Sequence, residues 1–262
     1  MQKPTPSLAQ ATALYQVGRY AEAEVEARAA AEARSCPRRE APLARHLAAA
    51  AMSAQGRHAE ALCEYDALLL VFRSIFGADH PRTLVLRSDR AQTLAALSRY
   101  AECETECAAV ARTAARRVGR TVPSIAAAAH NGLIYALNGQ GRHQEAETLA
   151  RAALRGPTGP SRLDLVLRLG LARSLNGQGR HEEALAEAER AAALRSHLPE
   201  GQQHPETGAV ELAIASALLG LGRGTEARAR TATAHDACLT AFGPDHHRTA
   251  EALALIERID GA

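Results

Sequence analysis

The sequence has no tryptophan, three phenylalanines and five tyrosines, so aromatic residues make up only 3% of its 262 positions. Isoleucine and valine are sparse beside alanine and leucine. A chain so poor in β-branched and aromatic residues disfavours sheet and favours helix. Neither sign of charge dominates: Lys and Arg total 31 against 29 Asp and Glu, a net of +2, with the signs interspersed. That balance leaves no electrostatic footprint for nucleic acid or for an anionic membrane surface. No apolar run approaches the roughly 20 residues needed to span a bilayer, and the opening MQKPTPSLAQATALYQVGRY lacks the apolar core of a signal peptide. A soluble, cytoplasmic protein is expected.

Cysteine is scarce too. Cys36, Cys63, Cys103, Cys107 and Cys238 form an odd set without a disulfide-like framework and read as reduced thiols. Cys103 and Cys107 are one helical turn apart, but no His or third Cys lies nearby in sequence to complete a metal site. They read as small core residues, and neither a metal nor a cofactor is expected.

What the sequence has in abundance is self-similarity. LNGQGRHQEA at 137–146 and LNGQGRHEEA at 175–184 agree at nine of ten positions. Related stretches are LYQVGRYAEA (14–23), MSAQGRHAEA (52–61), LAALSRYAEC (94–103) and LLGLGRGTEA (218–227). The Gly or Ser before the Arg falls at Gly18, Gly56, Ser98, Gly141, Gly179 and Gly222, in steps of 38, 42, 43, 38 and 43 residues. Such a period belongs to a helical repeat. FGADHPRT starts at Phe76 and FGPDHHRT at Phe242, 166 residues apart, and Gly56 to Gly222 is also 166. The two patterns therefore share one register.

Each unit reads as helix, turn, helix. Apolar-periodic segments such as SIAAAAHNGLIYAL (124–137) and QEAETLARAAL (144–154) flank the corner. The corner Gly supplies the left-handed backbone that ends the first helix, and the residue two later, Tyr20, His58, Tyr100, His143 or His181, opens the second. Ala23, Ala61, Ala146, Ala184 and Ala227, with Cys103 in the third unit, are small where helices must approach closely. Pro81, Pro123 and Pro205 suit first turns, where a missing N–H costs nothing. The expected helix pairs are 6–34, 42–76, 81–118, 123–155, 160–197 and 205–242, with shortened connections at 35–42 and 156–161 and a capping helix at 246–259. These make thirteen helices and one array over 1–262.

The six corners, the DHPRT and HPET unit starts, and HNGLIYALNGQGRHQEAETLARAAL (130–154) resemble the tetratricopeptide repeat, in the long form of about 42 residues found in kinesin light chains and many bacterial proteins. The resemblance implies an all-α, right-handed superhelical solenoid whose concave face is lined by the first helix of each unit. Ser98 in place of Gly, and Gly224 in place of His or Tyr, depart from the pattern. The high Ala and Arg content points to a GC-rich bacterial genome.

Counting ten, six and three residues back from each corner Gly marks a stripe on the first helix. It offers His46, Gln92, Asn131, Tyr135, Asn138, Arg173 and Asn176 as candidate peptide-binding residues. Asn amides suit an extended peptide, since each can donate to a carbonyl and accept from an N–H. Arg173 suits a carboxylate, either an acidic side chain or a chain terminus. The repeat disperses the histidines, and no HExxH, nucleophile elbow or phosphate loop appears. GLGRG at 220–224 follows a helix rather than a strand. Enzymatic activity is not expected. The leading reading is a protein or peptide scaffold or adaptor. Its alternatives are a ligand- or peptide-responsive regulator of a separate effector and a self-assembling scaffold, because an exposed terminal unit can stack on another copy. The basic runs RTAARRVGR (112–120) and CPRRE (36–40) read as solvated helix ends rather than nucleic-acid contacts.

Overall fold

The computed structural model describes residues 6–33, 36–117, 119, 121–155, 161–199, 206–244 and 246–261. Among them are thirteen helices and no strand. These are α1 (Leu8–Gln16), α2 (Tyr20–Glu32), α3 (Ala41–Ala54), α4 (His58–Ile75), α5 (Pro81–Ala96), α6 (Tyr100–Ala115) and α7 (Val122–Gly139). They are followed by α8 (His143–Leu154), α9 (Arg162–Gly177), α10 (His181–Ser196), α11 (Ala209–Gly220), α12 (Gly224–Phe242) and α13 (His247–Asp260). The architecture is all-α, as the repeat period requires. Pro205 and most of the 156–161 connection lie outside the described residues. Among the described residues no helix is long and apolar enough to cross a membrane.

The chain divides into two compact units, 1–126 and 127–262, with the boundary inside α7. In the first, each helix from α1 to α6 packs on the next, and α3 also touches α1 and α5. In the second, α8 to α13 pack in sequence, and α11 also touches α9 and α13. First helices thus form one layer and second helices another, in each unit taken separately.

The six corners share one backbone geometry. Gly18, Gly56, Gly141, Gly179 and Gly222 have φ between 72° and 83°, and Ser98 takes φ 59°. At each corner the next residue's N–H reaches back five residues to a carbonyl near the end of the first helix: Arg19 to Leu14, Arg57 to Met52, Arg99 to Leu94, Arg142 to Leu137, Arg180 to Leu175 and Arg223 to Leu218, at 2.9–3.1 Å. This is the Schellman closure, which satisfies carbonyls that the helix end would otherwise orphan. The same six arginines then turn their guanidinium groups to the glutamate three residues on. Arg142 Nε and Nη2, for example, meet both oxygens of Glu145 at 2.7 Å. That glutamate lies in the first turn of the second helix, where the dipole favours an anion.

Core packing follows from residue size. The corner-closing Ala23, Ala61, Ala146, Ala184 and Ala227, and Cys103 in their place, are all 0–1% exposed. Larger side chains fill the space between pairs. Met52, Tyr65, Leu68, Phe72 and Leu86 form one cluster in the first unit, and Ile134, Leu167, Leu171 and Leu175 anchor another in the second. Cys107 is buried beside Cys103, with the sulfurs 4.0 Å apart. Cys238 is buried and Cys63 is exposed.

Polar braces recur with the period. Within a pair, residues 19 apart join the first helix to the second: Arg45 to Glu64, Arg87 to Glu106, Arg168 to Glu187 and, with polarity reversed, Glu211 to Arg230, at 2.6–3.0 Å. Between pairs, Gln55 and Arg57 both hold Glu24, at 2.9 and 2.8 Å. Gln178 and Arg180 hold Glu147 in the same way, at 2.7 and 2.8 Å.

The two FG-D-H unit starts are also built alike. His80 accepts a hydrogen bond at Nδ1 from the Arg82 N–H and stacks on Phe76, while the Thr83 hydroxyl donates to the Gly77 carbonyl. His246, Arg248, Phe242, Thr249 and Gly243 repeat every contact. Each histidine is an N-cap.

Two predictions follow from the corners and caps. A non-glycine residue in the left-handed region costs about 1 kcal/mol, so Ser98→Gly is expected to raise unfolding stability by about that amount. Urea denaturation of the two proteins measures it, and an unchanged or lower midpoint contradicts the account. The second prediction concerns acid. Burial holds His58 and His130 below the ordinary histidine value of 6.5; His80 is lowered by burial and then by the charges of Arg82 and Arg117. The unfolded chain therefore binds these protons more tightly, and the stability present above about pH 6.5 falls as pH drops below it. Thermal melts between about pH 7.5 and 5.5 should show a declining midpoint, and His80→Asn, whose cap does not titrate, a shallower decline.

Candidate peptide-binding face

The three positions of the stripe have different fates. At four of the six corners, the side chain three residues before the turn is captured by that turn. It meets the ring that opens the second helix, five residues on: Tyr15 sets its edge against Tyr20 with centroids 5.2 Å apart, Ser53 Oγ lies 3.2 Å from His58 Nδ1, and Asn138 and Asn176 present Oδ1 to Nδ1 of His143 and His181, at 3.0 and 2.6 Å.

Asn138 is engaged within the structure. It is 6% exposed, and its Nδ2 donates to the Gly170 carbonyl and to Ser174 Oγ, at 3.1 and 3.0 Å. With both amide hydrogens used on α9, the oxygen faces His143, whose Nδ1 must carry the proton. Such an amide has nothing to offer a peptide. The Asn176 oxygen is likewise committed to His181, although the residue is only half-buried. Both asparagines order corners.

The captured rings explain a second glycine in the repeated stretch. A Cβ on Gly177 would lie 2.4 Å from the His143 ring, and one on Gly220 would lie 2.2 Å from the His181 ring. His143 and His181 therefore rest on the first helix of the following pair, each against a glycine.

Ten residues before the corner, the position belongs mainly to the core. Ser88 and Leu212 are buried, and Leu169 packs against buried clusters. His46 is tied down: Nε2 meets Asp89 Oδ2 at 2.7 Å, and the ring stands edge-on to Tyr65 and Phe72. Asn131, at the same position in the second unit, is half-buried.

Six residues before the corner, Gln92 and Arg173 are exposed, and Thr12, Ala50, Tyr135 and Ser216 are half-buried. Gln92 lies on the first unit. On the second, the Arg173 guanidinium lies over the Tyr135 ring, 5.0 Å from its centroid, so α7 and α9 are joined by a cation–π contact. Arg173 Nη2 also donates to Glu251 Oε1 on α13 at 3.1 Å, with both side chains 45% exposed. Glu251 lies outside the stripe, which is counted back from the six corners. The matching position on the intervening α11 is Ser216, small and half-buried. Three of the seven expected residues thus remain on one face of the second unit: Asn131, Tyr135 and Arg173. Among the described residues no group of three or more His, Cys, Asp or Glu is placed to hold a metal.

Layered helix pairs joined by Schellman corners, with polar side chains emerging on the first-helix layer, define a helical-repeat protein. Residues 39–105 match the family model for the tetratricopeptide repeat, and the same corner geometry recurs on both sides of that segment. A solved tetratricopeptide repeat protein from Parabacteroides merdae superposes with a TM-score of 0.63 at 17% identity, covering 95% of this chain and 82% of that one. At that identity the likeness shows the fold. No curated protein matches the sequence.

The tight His143 contact gives a test in which sign matters. In an open helix Gly→Ala is worth about 1 kcal/mol of added stability, whereas overpacking costs about 1–3 kcal/mol. Gly177→Ala is expected to destabilise the wild-type chain by about 1–2 kcal/mol and to stabilise a His143→Ala background. Equilibrium urea unfolding of the four proteins distinguishes the signs, and stabilisation in both backgrounds would refute the packing.

Proposed function

We propose that the protein is a non-catalytic, cytoplasmic scaffold or adaptor that binds a partner protein through an extended peptide laid across the first-helix layer of the second unit. The observation that carries this reading is the group at Tyr135 and Arg173. A half-buried aromatic ring and an exposed guanidinium are held together there. Arg173 would take a carboxylate from an acidic side chain or a chain terminus, Tyr135 would supply stacking area, and Asn131, one turn earlier on α7, would pair with peptide backbone. Gln92 is a separate candidate, exposed on the first unit's own first-helix layer. Tetratricopeptide repeats as a class support a protein-interaction role, and the partner's identity is left to experiment.

The test is affinity capture from lysate of the source organism. The bait is the wild-type chain beside an Asn131→Ala, Tyr135→Ala, Arg173→Ala variant of equal helicity by circular dichroism. Asn138 and Asn176 stay untouched, because their loss would disturb corners. A partner held by wild type and lost by the variant is the expected result. A partner held equally by both would move the interface off this face, and capture of nothing by either would count against the adaptor reading.

A further inference from the structure

The ion pair between Arg173 and Glu251 differs from the others in kind. Corner pairs join residues three apart, braces within a helix pair join residues 19 apart, and braces between pairs join residues 31 to 33 apart. Arg173 and Glu251 are 78 apart, and the next longest separation among the ion pairs of described residues is 44, between Arg162 and Glu206. The pair skips a helix, joining α9 to α13 above α11. The small, half-buried Ser216 stands in α11 at the position matching Arg173.

The docking of α13 has other supports. Ala252 and Leu255 are buried with Leu212 and Ala215 of α11 and Ala234 of α12, and Arg228 meets both carboxylate oxygens of Asp260, at 2.6 and 3.2 Å. Glu251 instead makes a single 3.1 Å bond to a half-exposed guanidinium, and pairs so exposed contribute little to stability. The guanidinium is meanwhile held at its other side by the Tyr135 ring. A cation fixed in place on a face proposed to bind peptide, and covered by a carboxylate from the chain itself, is already in the complex its ligand would form.

On the basis of that proposed binding face, we infer that Glu251 is a built-in competitor, an internal carboxylate that an acidic peptide must displace from Arg173. The partner segment thereby acquires a stated chemistry: a carboxylate for Arg173, beside a group able to pack on Tyr135. Removing the internal carboxylate should strengthen binding of such peptides and leave neutral ones unaffected. An exposed ion pair is worth up to about 1 kcal/mol, which corresponds to an effect of about two- to fivefold.

The experiment uses the labelled full-length chain on an array of immobilised random dodecapeptides, each made with a free C-terminal carboxylate and as the C-terminal amide. Wild type is compared with Glu251→Gln and Arg173→Gln, all three matched for helicity and melting temperature. The expected result is that Glu251→Gln binds acidic peptides about two- to fivefold more tightly than wild type, while Arg173→Gln loses them. The amide series tells whether a side chain or the terminus supplies the carboxylate. If Arg173→Gln loses the peptides but Glu251→Gln binds like wild type or more weakly, the competitor role is overturned and the binding face stands. If all three bind the same peptides equally, or none binds any, the face itself is wrong and the competitor role falls with it.

Discussion

Everything in this chain depends on a turn in which one residue adopts a left-handed backbone and the next sends its N–H back across five residues. That closure stops the first helix at a fixed place and starts the second within two residues, which sets the angle between the helices of each pair. Once the angle is fixed, the corner-closing position falls where two helices come closest, and a residue larger than Ala or Cys would hold them apart. The polar braces also become repeatable, because a side chain leaving one helix meets the same point on its neighbour in pair after pair. The turn is tolerant of everything except its backbone: Ser98 occupies it with φ 59°, and Gly224 opens α12 without a ring.

Polar groups in this structure maintain the spacing between pairs as much as they face water. Glu24 and Glu147 are each gripped by a glutamine and an arginine from the following corner. At the corners of Ser98 and Gly222 the glutamine is replaced by Leu97 and Leu221, and the glutamate's position in the preceding second helix holds Leu62 and Leu185. One chain thus uses a polar pair at two junctions and an apolar pair at two others. The position tolerates either chemistry when both members change together, since a buried carboxylate facing leucine would lose its partners. Other polar contacts within the repeat engage three of the seven stripe residues, His46, Asn138 and Asn176.

A reader of the sequence could see the corners, the helix pairs and the small core residues because each is dictated locally. A left-handed turn demands glycine, a helix demands periodic apolar residues, and a close approach demands alanine. Of the repeated heptapeptide, the sequence explained the corner glycine at 179 but not its neighbours. The structure gives the others work: Leu175 packs in the core, Asn176 holds His181, Gly177 makes room for His143, Gln178 and Arg180 grip Glu147, and His181 rests on Gly220. The candidate site was legible only in part. Arg173 is exposed with the half-buried Tyr135 ring beneath it, while Asn138 and His46 bond to partners in neighbouring helices, Gly170 and Ser174 in one case and Asp89 in the other.

The division has a physical cause. By itself the sequence determined where the chain turns, how many helices it forms and which face of each is apolar, because those depend on residues within one helical turn of each other. Only the tertiary structure decided which polar side chains are consumed in holding pairs together and which remain for a partner, because that depends on what stands opposite, 30 to 80 residues away in sequence and a few ångströms away in space. Glu251 is the clearest instance: nothing in its own helix marks it, and only the packing of α9, α11 and α13 brings it to Arg173.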